Sequence, residues 1–376
     1  MRIALVEPYF TGSHRAWAEG FAARSGHDVR LHTLPGRFWK WRMHGGGVTL
    51  AREFLAAEAE AAAAGLGSVD LVLATDMLDL PLFLGLTRYA GATAVYFHEN
   101  QFTYPWSPND TDPHTGRDGH FCFINYSTAL AADRVFFNSD FHRQTFLGEL
   151  PGWLKKMPDH RELDSVDQIA AKSEVMHLGM DLARLDAHRP TEAERKAENE
   201  AGLPPLVLWN HRWEYDKDPA TFFRALFEID SPFRLAVLGD DFGDKHPAIF
   251  DEARERLADK IVQWGKVEDG GEYVCWLWRA DILPVTSRQD FFGGSVVEAM
   301  YCDTEPLLPS RLAFPEHTEA DVFYDSDEEF RSRLAAFLVE GSRVGSLRSE
   351  VATYDWGSCI GTMDQRLAEI QHRTKR

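Results

Sequence analysis

The 376-residue chain reads as α/β, with two doubly wound, Rossmann-like parallel sheets joined in tandem. Three observations predict this. Short apolar, β-branched runs alternate with helix-length stretches, and they do so in two series. A polar stretch ending in Gly202-Leu203-Pro204-Pro205 separates the series. At roughly 150 residues per domain the length corresponds to about two domains.

The elements follow in order. Arg2-Ile3-Ala4-Leu5-Val6 is a first strand; it is stopped by Glu7 and is too short for a signal-peptide core. The turn Thr11-Gly12-Ser13-His14 leads into a helix through about Arg24, and Asp28 to Leu34 is a second strand. Ala51 to Ala64 is an Ala/Glu-rich helix, and Asp70 to Thr75 is a continuous apolar strand of the fully buried kind. A helix over Asp79 to Tyr89 precedes strands at Ala92 to Phe97 and Arg134 to Phe137. Pro151 to Val175 reads as loop plus a short helix, and Leu185 to Pro205 as polar and helix-prone. Strands then recur at Leu206 to Trp209, Phe233 to Leu238, Ile261 to Trp264, Asp281 to Val285, Glu305 to Leu308 and Asp321 to Tyr324, and Arg343 to Arg376 reads as helix. The expected organisation is an N-terminal domain over 1–180, a linker over 181–205, a second domain over 206–345 and a helical tail over 346–376.

A composition 44% apolar and 26% charged excludes disordered, collagenous and disulfide-scaffold classes, and no apolar run approaches the ~20 residues that span a bilayer. Cys122, Cys275, Cys302 and Cys359 form no CxxC pair and read as small buried apolar residues of a reducing, cytoplasmic protein. With 40 Lys+Arg against 59 Asp+Glu the net charge is −19, which disfavours nonspecific polyanion binding but leaves room for a local basic patch.

In open parallel sheets ligands sit beyond the carboxyl ends of the strands, so chemistry is sought just after them. The most specific local signal is Asp290-Phe291-Phe292-Gly293-Gly294-Ser295-Val296-Val297-Glu298, which follows a strand and opens a helix. Its glycines leave backbone N–H groups clear at a helix N-terminus, an anion site, while Asp290 and Glu298 are strong acceptors for hydroxyl groups. The bland alternative is a Gly-rich turn with an exposed carboxylate.

A second signal, His211-Arg212-Trp213-Glu214-Tyr215-Asp216-Lys217-Asp218-Pro219, follows the next domain's first strand. Arg212 and Lys217 would neutralise a diphosphate; as a plain surface loop the segment would simply start a helix at Pro219. A third is His98-Glu99-Asn100-Gln101 after the Ala92–Phe97 strand, a polar run that a core would not accept without partners. Gly12-Ser13-His14 lies after the first strand but is no GxGxxG dinucleotide fingerprint. Asp110-Thr111-Asp112, with His114 and His120 near, has a DxD pattern but equally the composition of a turn. Arg37-Phe38-Trp39-Lys40-Trp41-Arg42 interleaves cations with aromatics, as RNA binding requires, though Trp39 and Trp41 would serve as well to anchor a loop in the core. Trp153-Leu154-Lys155-Lys156 is a smaller patch of the same kind.

At these residues the chain resembles the family 4 glycosyltransferases of GT-B fold, whose two domains face each other across a cleft. The resemblance rests on the acid-x7-Glu spacing of Asp290 and Glu298, on Arg212 and Lys217 five apart, and on His177-Leu178-Gly179-Met180-Asp181 at the entry to the second domain. Within that family it is similar to the tRNA-queuosine mannosyltransferases, through Gly12-Ser13-His14, Leu34-Pro35 to Arg42, Tyr96 to Pro105, Pro158-Asp159-His160-Arg161, His211 to Pro219, Asp290 to Gly293 and Glu298 to Cys302. Asp290 departs from the pattern, standing where the family usually has Glu.

The resemblance implies retaining transfer of mannose from GDP-mannose to the cyclopentene diol of queuosine in tRNA, without a metal or other cofactor. It implies catalytic roles for His98, Arg212, Lys217 and Asp290. Donor contacts would come from Gly12, His211, Arg212, Lys217, Phe291, Phe292, Gly293, Gly294 and Glu298. Acceptor contacts would come from Ser13, His14, Arg37, Trp39, Lys40, Trp41, Arg42, Glu99, Asn100 and Gln101. Neither a membrane nor a protein partner is expected. The alternatives are a family 4 enzyme acting on a small molecule, lipid or glycan, a GT-B nucleotide-sugar epimerase, and a nucleotide binder without catalysis.

Overall fold

Two six-stranded sheets, every strand pairing parallel, carry the chain. The computed structural model describes residues 1–106, 110, 119–194, 202–239 and 246–374, with backbone alone from 371 onward. Two units emerge, one of 1–180 with 356–376 and one of 181–355.

In the first unit the strands are β1 (Arg2–Phe10), β2 (Asp28–Pro35), β3 (Leu71–Thr75), β4 (Ala92–Phe97), β5 (Arg134–Phe137) and β6 (Ser173–Val175), in the order β2-β1-β3-β4-β5-β6. The strand period of two explains why both faces are covered. Val6, Val72, Ala74, Val95 and Phe97 face helices α2 (Trp39–Ala63), α3 (Leu80–Thr87), α4 (Gly119–Ala131) and α5 (Asp140–Leu154), whose Leu50, Phe83, Tyr126 and Phe146 complete one core. Their neighbours Ile3, Leu5, Leu73, Ala94 and Tyr96 face the other way, onto Trp17 and Phe21 of α1 (Gly12–Arg24) and onto the C-terminal helix. That helix, Trp356–Thr374, belongs to the first unit because Trp356 fills a slot floored by Gly20 and Gly179, where any Cβ would collide with the indole.

The second unit orders β12 (Phe323–Tyr324), β11 (Glu305–Pro309), β10 (Ile282–Pro284), β7 (Leu206–Trp209), β8 (Arg234–Val237) and β9 (Ile261–Trp264). Its core is aromatic, with Trp213 stacked on Phe250 at 4.4 Å and Trp209 against Phe222 at 4.9 Å.

The strand expectations hold to within a few residues, and four others are corrected. Helix α2 starts at Trp39 rather than Ala51, because the Gly45-Gly46-Gly47 run is helical where glycine is needed: Gly46 meets Pro8 and Gly45 the Trp41 ring. Pro151, expected to open a loop, lies in the last turn of α5, where its missing N–H costs a single hydrogen bond. The short edge strand β6 arises in the stretch read as loop and helix. Residues 343–347 of the expected tail helix are not helical. Of the four free cysteines only Cys302 is buried; the other three are half-buried.

Candidate functional site

Strand order fixes where each unit gathers polar groups. The first sheet reverses direction between β1 and β3, and the second between β7 and β10, so each has a topological switch point at its carboxyl edge. A cluster of buried polar residues lies at each.

At the first switch point Glu7, fully buried near the end of β1, accepts from the Tyr9 amide at 2.6 Å and pairs with His14 Nδ1 at 2.8 Å. His14 stands in the first turn of α1, so the positive end of the helix adds to this charge. Its ring lies 4.3 Å from that of His98, the residue after β4, and Trp17 meets His98 edge-on at 4.8 Å. The His98 amide donates to Asp76 Oδ1 at 2.7 Å, the residue after β3, and the Asn125 amide group donates to the Asp76 carbonyl at 2.9 Å. Asn138 in turn donates to the His98 carbonyl at 2.9 Å.

Protonation within this cluster is unusual. Burial works to lower the His14 pKa, but Glu7, with smaller help from Asp76 and Glu99, overrides it and raises the group to about 9. Burial pushes Asp76 up to about 8 against the opposing charge of His14. His98 is held well below the ordinary imidazole range by burial and by the His14 charge. These shifts favour a charged His14, a protonated Asp76 and a neutral His98 at neutral pH. Buried Nε2 of His98 and Oδ2 of Asp76 have no hydrogen-bond partner among the described residues, so both are open to a ligand. Glu7, His14 and His98 also offer three ligand atoms within 4.8 Å of one another, a set with the spacing to hold a metal ion. Metal ligation there would need both imidazoles neutral, in competition with the proton that Glu7 favours on His14.

The polar run after β4 is organised from within. Asn100, fully buried, accepts from the Phe102 and Thr103 amides at 2.9 and 3.1 Å, and Gln101 donates its backbone N–H to Asn125 Oδ1 at 2.8 Å and its side-chain amide to Glu99 at 3.1 Å. Asn100 is thus bound into the turn, whereas Glu99 is partly exposed.

In the second unit Lys217, in the 3-10 turn Tyr215–Lys217, is buried between two carboxylates: Asp290 Oδ2 at 2.9 Å and Asp216 Oδ2 at 3.3 Å. It also donates to the Gln289 carbonyl at 3.0 Å. Arg212 reaches the same Asp216 at 3.7 Å and Glu214 at 3.2 Å while about half its side chain stays exposed. Burial would raise Asp290, but Lys217 and His211 hold its pKa below the ordinary carboxylate value. Burial and the Lys217 charge press His211 down to about 4, leaving a neutral ring whose Nδ1 meets Ser295 Oγ at 2.9 Å and whose Nε2 has no partner among the described residues.

Gly293 caps α10 (Gly294–Tyr301) at φ 82°, where a side chain would strike the Phe314 ring, so glycine is required for the turn that bares the helix amides. Phe291 and Phe292 are buried, and the Phe292 carbonyl accepts from His317 at 2.6 Å; the loop presents its backbone rather than its rings. One turn into α10, Glu298 meets Arg184 at 2.6 Å and the Tyr273 hydroxyl at 2.9 Å, and burial raises its pKa against the Arg184 charge.

The structure divides the other sequence candidates. Gly12 and Ser13 are exposed at the head of α1, next to His14. Trp39 turns inward onto Phe121 at 4.9 Å, so the core-anchor reading applies to it and not to the exposed Trp41, while Lys40 pairs with Asp110 at 2.7 Å. Arg37 and Trp41 are exposed and Arg42 half-exposed. Asp112 and His114 lie outside the described residues, and His120 is exposed beside His44. Sequence reasoning missed Glu7, Asp76, Asp216, Arg184 and Tyr273. Position just after a strand would have singled out Asp76; the pairing of Arg184 and Tyr273 with Glu298 leaves no sequence signal.

Comparison with known proteins agrees with this architecture. Residues 2–180 match the family model described as tRNA-queuosine alpha-mannosyltransferase N-terminal. The chain is similar to the tRNA-queuosine alpha-mannosyltransferase of Drosophila melanogaster, 27% identical over 341 residues, covering 89% of this chain and 86% of that protein. Among solved structures, Anabaena HepE in complex with UDP superimposes with a TM-score of 0.66 at 16% identity, covering 98% of this chain and 99% of that one. Sucrose-phosphate synthase from Thermosynechococcus elongatus does so with a TM-score of 0.70 at 16% identity, covering 98% of each. The chain is therefore a glycosyltransferase of GT-B fold whose residues 2–180 match the tRNA-queuosine alpha-mannosyltransferase N-terminal family.

Proposed function

We propose that the protein transfers mannose from GDP-mannose to the cyclopentene diol of queuosine in tRNA, with retention at the anomeric carbon and without a metal. The observation that carries the chemistry is Lys217 held against Asp290 at 2.9 Å beside the N-terminus of α10. The mannose and the queuosine acceptor draw their support from the similarity to the Drosophila tRNA-queuosine alpha-mannosyltransferase, and GDP as the carrier from the family resemblance of the sequence motifs.

In this reading the diphosphate meets three positive features, Lys217, Arg212 and the α10 amides, which stabilise the charge that develops as GDP departs. The bond from the anomeric carbon to the β-phosphate oxygen breaks and the bond to the acceptor oxygen forms on the same face. The acceptor's proton passes to a β-phosphate oxygen, so no carboxylate nucleophile is needed, unlike in retaining glycosidases. Asp290 and the backbone from Phe291 to Gly294 bind the sugar hydroxyls. Glu298, held by Arg184 and Tyr273, binds the ribose hydroxyls with its remaining lone pairs. His98, neutral and with a free buried Nε2, donates to or accepts from the mannose near the reacting carbon. The deciding experiment incubates the protein with GDP-mannose and queuosine-containing tRNA and measures the digested nucleosides by mass spectrometry. A hexose added to queuosine is expected. Nucleotide binding without this product would move the acceptor to another class.

A further inference from the structure

Two large aromatic side chains at the head of α2 have no part in either cluster: Phe38 is 73% exposed and Trp41 is 64% exposed. Such exposure of neighbouring rings has a cost in water and marks a contact surface. Their local structure holds them outward. Phe38 adopts the left-handed conformation at φ 57°, which a bulky residue rarely takes. The Trp41 ring packs against Gly45, where an added Cβ would come within 2.6 Å of it. Charge complements the rings. Arg37 is exposed beside Phe38, and Arg42 is fixed by its Nε donating to the Pro35 carbonyl at 3.1 Å. This local excess of cations stands out on a chain of net charge −19. The patch also adjoins the first cluster: Gly36 packs so closely on Thr11 that no side chain would fit, and Thr11 precedes the Gly12-Ser13-His14 turn.

We propose that Arg37, Phe38, Trp41 and Arg42 form a docking platform for an unpaired RNA loop. The two rings stack on bases, which is indifferent to sequence, and the two guanidinium groups hold the flanking phosphates. The platform seats the loop beside the α1 turn, and it rests on the reading of tRNA as acceptor. Trp39 and Lys40, committed to Phe121 and Asp110, belong to its foundation and not to its surface.

The test measures, on the full-length protein with GDP present, the affinity for a queuosine-bearing anticodon stem-loop by fluorescence anisotropy. Phe38→Ala and Trp41→Ala are each expected to weaken RNA binding on the order of tenfold, with Trp41→Phe recovering most of the loss. GDP affinity and the melting temperature should not change, since both rings are exposed. Arg37→Ala with Arg42→Ala should lower the slope of log K against log salt by about 1–2. A wild-type protein that binds the stem-loop with all variants matching it would overturn the platform and leave the proposed acceptor standing. Loss of affinity in the arginine pair alone would reduce the patch to a charge contact and overturn the stacking. A wild-type protein that binds GDP but no stem-loop would overturn the acceptor reading and the platform together.

Discussion

Lys217 Nζ and Asp290 Oδ2 stand 2.9 Å apart, an ion pair that ties the loop after β7 to the loop after β10 across the switch point of the second sheet. Asp216 shares the same ammonium at 3.3 Å, so Lys217 neutralises two carboxylates before any diphosphate arrives. Lys217→Ala would leave Asp290 without its cation and Asp216 with only the half-exposed Arg212, and should destabilise the protein by about 3–5 kcal/mol, besides lowering transfer by about 10²-fold or more. The double variant Lys217→Met, Asp290→Asn separates the two effects. It should recover much of the thermal stability and none of the turnover. Recovery of turnover in the double variant would show that Lys217 acts only as a counter-ion.

Glu298 is fixed on one oxygen by Arg184 and on the other by Tyr273. Glu298→Gln keeps the shape but weakens every charge-assisted acceptor bond, so the KM for the donor should rise roughly ten- to a hundredfold with a smaller change in kcat. Arg184→Ala should raise the donor KM as well, by freeing the carboxylate to reorient. Burial raises the Glu298 pKa, so donor affinity should fall on acidification at a pH above that of an ordinary glutamate. An unchanged donor KM in both variants would remove Glu298 from the donor site.

The fold was legible because fully buried strands such as Leu71–Thr75 and Leu206–Trp209 are uninterrupted apolar runs, and no other element accounts for them. The start of α2 was not, because a Gly45-Gly46-Gly47 run opposes helix by intrinsic propensity and is overruled by close packing against Pro8. The second cluster was visible through its motif spacing. The first was visible only in part: His98 and His14 stood in polar runs, but Glu7 and Asp76 are single acids beside apolar strands, and the Asp76 partners His98 and Asn125 lie 22 and 49 residues away. In the Phe38–Arg42 stretch, sequence alone could not say which rings point outward, since a helix start and a loop distribute them differently.

Transfer should survive removal of divalent cations. The Glu7, His14 and His98 atoms have metal-like spacing, yet His14 carries a proton that Glu7 stabilises up to about pH 9. Dialysis against EDTA should leave the rate unchanged at pH 7, and elemental analysis of the purified protein should find no stoichiometric zinc or manganese. A rate abolished by EDTA and restored by one added cation would replace the proton at this cluster with a metal.

Stability should fall as pH rises from neutral, and the first cluster determines the sign. His14 titrates near 9 when folded against an unfolded value near 6.5, so its contribution is complete below pH 6.5 and is lost on the way to 9. Asp76 is also raised, to about 8 from 3.8, so its buried neutral form is favoured at low pH and its contribution declines as pH rises toward 8. Both groups act in the same direction, with a combined effect on the order of a few kcal/mol. Asp76→Asn provides the sharper test. Asparagine copies the neutral carboxyl group and still accepts the His98 amide bond. The variant should therefore match the wild type near pH 4 and exceed it in melting temperature by a margin that widens as pH rises toward 8. If the variant instead melts lower at every pH, Asp76 is ionised in the folded protein and serves as a second counter-ion to His14.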